Sequence, residues 1–374
     1  MALFTQGGNP FHPQDGSASQ PMDPLQAGDP RQVGAYRVVG RLGGGGMGQV
    51  FLGLSPGGRP VAIKVVRPDL TADSEFRQRF AREVDAARRV GGFHTASVVD
   101  ADPRADPPWM VTAYIAGPSL HAVVAGKGPL TEEATRALGA ALAEGLAAIH
   151  ACGLVHRDLK PANIIMASDG PRIIDFGIAR PAGVTALTTP STVLGTYAFM
   201  SPEQFRGEAA TPASDVFSLG CVLAYAATAR VPFDAASVPA IMYRVLETEP
   251  DLSEVAPGLL RDALEACLAK EPGRRPSLPD LVARFTAHAE LIPTAWPQEP
   301  GDGGTSAGTV AGPHGRPAPG AVAEVAVPGA PPAAGTPQVH AERHESITIT
   351  QQANASPGSV VIQVAGNAKI GDDA

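Results

Sequence analysis

His156-Arg157-Asp158-Leu159-Lys160-Pro161-Ala162-Asn163, with Asp175-Phe176-Gly177 beginning twelve residues after Asn163, is the stretch that decides how this chain is read. Moving a terminal phosphoryl group requires a carboxylate to orient an attacking hydroxyl and accept its proton. It also requires oxygen ligands that hold magnesium against nucleotide phosphates. Asp158 suits the first task, and Asn163 and Asp175 suit the second. Lys160 lies between Asp158 and Asn163, where it can reach a transferred phosphate. The stretch reads as a phosphoryl-transfer centre.

Working upstream, Tyr36–Leu42 reads as a strand, and Gly43-Gly44-Gly45-Gly46-Met47-Gly48-Gln49-Val50 leads into a second strand at Phe51-Leu52-Gly53. Gly43, Gly45, Gly48 and Val50 satisfy the Gly-x-Gly-x-x-Gly-x-Val form of a loop that folds over ATP phosphates, where a Cβ would hold the backbone away. A dinucleotide-binding turn shares the glycines but needs a helix directly after them. Here a strand follows, then a Ser55–Gly58 turn, then the apolar strand Val61-Ala62-Ile63-Lys64. Lys64 among apolar neighbours is a poor surface lysine. Further on, 73–90 has helical spacing, with Phe76, Phe80, Val84 and Ala87 on one stripe and Glu83 close beside it.

Taken together, these motifs resemble those of bacterial eukaryotic-like serine/threonine protein kinases of the actinobacterial type, over roughly residues 36–288. The resemblance implies an α+β, bilobal fold, with a small antiparallel β lobe carrying one regulatory helix above a larger, mainly helical lobe. It implies ATP and magnesium, with manganese as the alternative ion, bound in the cleft. Gly43, Gly45, Gly48, Val50, Ala62 and Lys64 would bind nucleotide, Lys64 contacting the α and β phosphates. Glu83, preferred over Glu75, would form an ion pair with Lys64. Trp109–Gly117 would run into the hinge, with Thr112 as gatekeeper and the backbone of Ala113 and Ile115 meeting adenine. Ala113 departs from the acidic residue many relatives carry there. Asp158, Lys160 and Lys64 would be catalytic, and Asn163 and Asp175 would ligate the metal.

The same resemblance assigns roles downstream. Lys160 in Asp-Leu-Lys-Pro-x-Asn favours serine/threonine over tyrosine acceptors. Arg157 marks the class whose activation loop, once phosphorylated, neutralises that arginine. Thr188 is the first candidate for such a site, Thr189 the next, and Ser191 and Thr192 follow in the same hydroxyl-rich segment. Thr196 would buttress Asp158 and Lys160. Glu203 would need a charged partner if buried, and Arg275 is the one implied. Asp215 would anchor the catalytic loop from a central helix.

Composition bounds the remainder. The 374 residues are 44% hydrophobic, enough for a sizeable core. The net charge is -8, but residues 36–288 are nearly balanced and the excess acid lies mostly after them, so nothing favours nucleic acid as a partner. Cys152, Cys221 and Cys267 are far apart and embedded in apolar runs, as reduced core residues of a cytoplasmic protein are. No window reaches the apolar length of a transmembrane segment. Residues 1–35 lack periodicity and are expected to be disordered. Residues 289–345 are a Pro/Gly/Ala-rich linker, and 346–374 a β-prone tail. The expected partners are ATP, protein substrates with Ser/Thr acceptors, and a second copy for autophosphorylation. Three other readings stay open: a catalytically weak pseudokinase scaffold signalling through the tail, a small-molecule phosphotransferase, and a binding module that the kinase merely regulates.

Overall fold

Val61 and Ile63 alternate with Ala62 and Lys64 along one strand, and a period of two sends the two sets to opposite faces of a sheet. In the computed structural model, which describes residues 22–176 and 194–287, that strand is the centre of a six-stranded antiparallel sheet. Its strands are β1 (Gln32–Val33), β2 (Tyr36–Gly45), β3 (Gly48–Leu54), β4 (Pro60–Val66), β5 (Val98–Asp102) and β6 (Trp109–Ala113). Their order across the sheet is β1-β2-β3-β4-β6-β5. Val61 and Ile63 bury one face in a small cluster with Val33, Tyr36, Val38, Phe51 and Val111.

Helices α1 (Pro68–Thr71) and α2 (Ser74–Ala87) fall between β4 and β5. Asp73 caps α2 by accepting a hydrogen bond from the Glu75 amide, which satisfies one of its open N-terminal donors. The stripe of Phe76, Phe80, Val84 and Ala87 is buried as its spacing requires.

The second lobe begins with α3 (Leu120–Lys127) and α4 (Glu132–Ala151), followed by the hairpin of β7 (Ile164–Ala167) and β8 (Gly170–Ile173). Leu138, Leu142, Leu146 and Ile149 recur at helical spacing on α4 and are fully buried. Beyond residue 193 come α5 (Leu194–Tyr197), α6 (Pro202–Phe205), α7 (Pro212–Thr228), α8 (Val238–Glu247), α9 (Leu259–Cys267) and α10 (Leu278–Thr286). Helix α7 is buried on nearly every side and packs against α4 and α9, as an apolar helix in the middle of a lobe must. Cys221 and Cys267 are buried free thiols on α7 and α9, and burial pushes the Cys267 thiol up to about 12. No helix among the described residues is long and apolar enough to cross a membrane.

Two differences from the sequence reading stand out. The first concerns residues 22–35, expected to be disordered with the rest of 1–35. Gln32 and Val33 pair with Arg37 and Tyr36, Asp23 bridges to Arg41, and Leu25 packs on the small cluster. Composition missed this because the ordering comes from the sheet the segment lies on, not from any period of its own. The second is that β2 continues through Gly43–Gly45, so the glycines form the end of a hairpin rather than a separate loop. Residues 1–21, the linker at 289–345 and the tail at 346–374 lie outside the described residues.

The large lobe is pinned by Glu203 and Arg275, two charged side chains almost wholly withdrawn from water. Arg275 donates to both carboxylate oxygens, at 2.7 and 2.9 Å, and Ser214 Oγ donates to Oε1 at 2.6 Å. Burial alone would raise the Glu203 carboxyl, but Arg275 and Ser214 outweigh it and hold the group below its ordinary value of 4.5. Removing one partner of such a pair costs about 3–5 kcal/mol. Arg275→Met is therefore expected to lower the melting temperature by roughly 10 °C, measured by circular dichroism. Because the folded state disfavours protonated Glu203, the pair's contribution is present above 4.5 and lost as pH falls below it. The gap between wild type and variant should narrow on acidification.

Candidate active site

The sheet assembles the upper half of the site by register. Val50 is paired with Lys64, Lys64 with Met110, and Ala62 with Thr112, so Val50, Ala62, Lys64 and Thr112 share the face opposite the small apolar cluster. Above them the β2–β3 hairpin closes at Gly45 and Gly48, and the Gln49 side chain donates to the Gly43 carbonyl. A Cβ on Gly48 would lie 2.0 Å from the Val65 carbonyl oxygen, so this glycine is required by β4 itself as well as by any phosphate. At the end of β6, the Ala113 amide donates to the Ser97 carbonyl at 3.0 Å. Gly117, at φ 144°, passes so close to β7 that a Cβ would stand 2.6 Å from the Met166 carbonyl. Thr112, Ala113 and Ile115 are thus carried on the segment that joins the two lobes.

The lower half is the loop between α4 and β7. Asp215, fully buried on α7, accepts hydrogen bonds from the amides of His156 and Arg157 at 2.7 and 2.9 Å, and from His150 Nε2 at 2.7 Å. Arg157 has a φ of 64° and Asp175 of 60°, left-handed conformations that cost about 1–3 kcal/mol and persist only where surroundings enforce them. Asp215 does the enforcing at Arg157. On the loop, Lys160 Nζ donates to Asp158 Oδ2 at 3.1 Å and to Thr196 Oγ1 at 3.2 Å. Asn163 Nδ2 donates to the Asp158 carbonyl at 2.9 Å, which leaves Oδ1 as its acceptor atom. The Asn163 carbonyl in turn receives the Ile174 amide, tying the loop to the residue before Asp175.

His156 links these segments as a neutral ring. Its Nδ1 accepts from the Asp158 amide and its Nε2 donates to the Ile174 carbonyl, so the proton sits on Nε2. Complete burial pushes its pKa below the ordinary 6.5 despite the nearby carboxylates of Asp215 and Asp158.

The ion pairs differ from those expected. Lys64 Nζ donates to Asp175 Oδ1 at 2.5 Å, and Glu83 accepts from Arg157 at 2.7 Å. The sequence reading placed Glu83 on Lys64. The difference arises because residue spacing does not fix which opposite charges from distant segments meet, and the tertiary arrangement does. Burial works against the Asp175 charge, but Lys64, with His156 and Lys160 assisting, holds its carboxyl below the usual range. Lys64 here supplies the positive charge that a divalent ion would supply to the same carboxylate. Asn163 Oδ1 and the Asp175 carboxylate are both oxygen donors, the class of donor that magnesium takes. The four phosphorylation candidates, Thr188, Thr189, Ser191 and Thr192, lie outside the described residues.

The protein kinase domain pattern matches residues 36–285. This chain belongs to the protein kinase family. It is 58% identical over 265 residues to the probable serine/threonine-protein kinase PkwA of Thermomonospora curvata, covering 71% of this chain and 36% of that protein. It is 50% identical over 268 residues to the serine/threonine-protein kinase AfsK of Streptomyces coelicolor, covering 71% of this chain and 33% of AfsK. The chain thus spans about a third of the length of these relatives. The crystal structure of the Mycobacterium tuberculosis PknI kinase domain superposes with a TM-score of 0.55 at 28% identity, covering 71% of this chain and 99% of that domain. Its fold is the bilobal protein kinase fold.

Three residues of this kinase site escaped the sequence reading. His150 is the polar exception in the apolar run 145–151 that ends α4, and that exception was the available signal for its bond to Asp215. Gln204, whose amide donates to the Arg157 carbonyl at 3.1 Å, follows Glu203 without any mark in the sequence. The ring of His156 was legible only as a motif letter. Its neutral Nε2–H form is expected to persist in solution. Nitrogen-detected NMR should place its titration below 6.5, and a midpoint above that value would contradict the geometry.

Proposed function

We propose that this chain transfers the γ-phosphoryl group of ATP to serine or threonine hydroxyls of proteins. The observation that carries the reading is the convergence of Asp158, Lys160, Asn163 and Asp175 at the foot of the sheet face that bears Lys64. Asp158 orients the acceptor hydroxyl and takes its proton. Lys160, held between Asp158 and Thr196, steadies that carboxylate and offsets charge on the transferring group. Asn163 and Asp175 are the residues that would hold magnesium, which when bound would offset charge on the phosphates. Lys64 holds the α and β phosphates, with Gly43, Gly45, Gly48, Val50 and Ala62 around the nucleotide and Thr112, Ala113 and Ile115 at adenine. Positioning of this kind, with little covalent chemistry for the protein, is the general logic of phosphoryl transfer.

The serine/threonine preference rests on Lys160 and on the printed names of the relatives. A pseudokinase reading finds no support, since none of Lys64, Asp158, Asn163 and Asp175 is replaced. Phosphorylation in the segment 177–193, most readily at Thr188, would offer Arg157 a stronger anion than Glu83. Glu83 would then be released to Lys64, and Lys64 from Asp175. Autophosphorylation between two copies would achieve this without another enzyme.

Asp158→Asn is expected to lower phosphoryl transfer to the chain itself and to a generic protein substrate by about 10²–10⁴. Lys64→Met should abolish the same signal, while both variants keep the wild-type circular dichroism spectrum. Transfer that survives in both would refute the assignment. In mass spectrometry of active protein, phosphate is expected between residues 177 and 193, and its absence there would remove the activation scheme.

A further inference from the structure

Arg41 stands two residues before Gly43, on the strand that enters the glycine hairpin, and it is gripped from outside the β2–β3 pair. The pairing of β2 with β3 shifts register on both sides of the Gly40–Arg41 step, between Val38 and Gly40 and again between Arg41 and Gly43. Such irregularities interrupt the ladder and let a strand bend. The β3 ladder therefore leaves the approach to the hairpin under-specified.

Residues 22–33 supply what the ladder lacks. Asp23 exchanges both backbone hydrogen bonds with Arg41, at 3.0 and 2.8 Å. The Asp29 carboxylate receives Nε and Nη2 of Arg41 at 2.7 and 2.6 Å, a two-pronged contact that fixes direction as well as distance. That carboxylate also accepts from the Gln26 amide at 2.7 Å, so it closes the turn that delivers it, and only 7% of its side chain is exposed. Met22 lies over Gly40, where a Cβ would stand 2.5 Å from its sulfur. Behind this grip, β1 and Leu25 hold the strap to the small apolar cluster. The kinase pattern begins at residue 36, just after the strap.

We propose that the strap of residues 22–33, acting through the Asp29–Arg41 pair, sets the path of the glycine hairpin and thereby the affinity for ATP. Asp29 and Arg41 are positioning residues in this scheme and touch no nucleotide. The inference rests on reading the hairpin as the cover of the nucleotide site. It also requires arginine at position 41, because a lysine ammonium cannot make the two-pronged contact.

The test uses the full chain with Asp29→Asn, Arg41→Lys, and the exchanged double variant Asp29→Arg with Arg41→Asp. Each single variant is expected to raise KM for ATP about 3–10-fold, the loss of roughly one hydrogen bond, with kcat within about twofold. The exchanged pair restores the ion pair but not the acceptor for the Gln26 amide, so it should recover only part of the affinity. Amide hydrogen exchange should quicken across residues 42–50 and stay unchanged in β4 and α4. An unaltered KM for ATP would overturn the proposal. So would a uniform loss of protection across the sheet with kcat falling in step, which would mark the pair as general support for the lobe. Exchange needs no phosphoryl transfer, so it separates failure of the strap from failure of the nucleotide reading, which would show as a wild-type chain without ATP-dependent transfer.

Discussion

A single buried carboxylate underlies the site. Asp215 is withdrawn from water in the middle of α7, and such a charge is tolerated only when its lone pairs are met. Two of its three donors are consecutive backbone amides of the catalytic loop, and the third is a histidine from α4. The demand for satisfaction therefore acts on the loop. It holds Arg157 in a left-handed conformation that a side chain of that size would otherwise leave, and this places Asp158 and Lys160 on the cleft side. Packing of α7 on every face keeps the carboxylate from relaxing toward solvent.

From that anchor the order spreads through backbone groups more than through side chains. The neutral ring of His156 joins the amide of Asp158 to the carbonyl of Ile174, and Asn163 joins the Asp158 carbonyl to the Ile174 amide. Asp175 is thus positioned relative to Asp158 by bonds that carry no net charge. Above this frame Lys64 pairs with Asp175 and Glu83 with Arg157.

Much of this was legible in the residues. The period-two strand 61–64, the apolar stripe of α2 and the mostly apolar α7 each follow from local pattern, because burial on one face or all faces leaves a periodic trace. The motif letters at Asp158, Asn163, Asp175, Glu203 and Arg275 were visible for a different reason, since chemistry constrains residue type at fixed spacing. The strap at 22–35 was not legible, because its order is borrowed from β2 and its composition carries no period. The role of Gly48 was read in part: the phosphate argument accounts for a glycine there, and the Val65 carbonyl adds a second cause that depends on how β4 lies against the hairpin.

By itself, then, the sequence determined the family and the two-lobed architecture. Those depend on residue type and spacing, and both survive without coordinates. Tertiary structure alone decided that Glu83 pairs with Arg157 and Lys64 with Asp175, which tautomer His156 holds, and that His150 joins the loop amides on Asp215. The sequence reading assigned the carboxylate at position 83 to Lys64, whereas the fold brings it to Arg157, because contacts between segments far apart in the chain leave no mark in residue spacing.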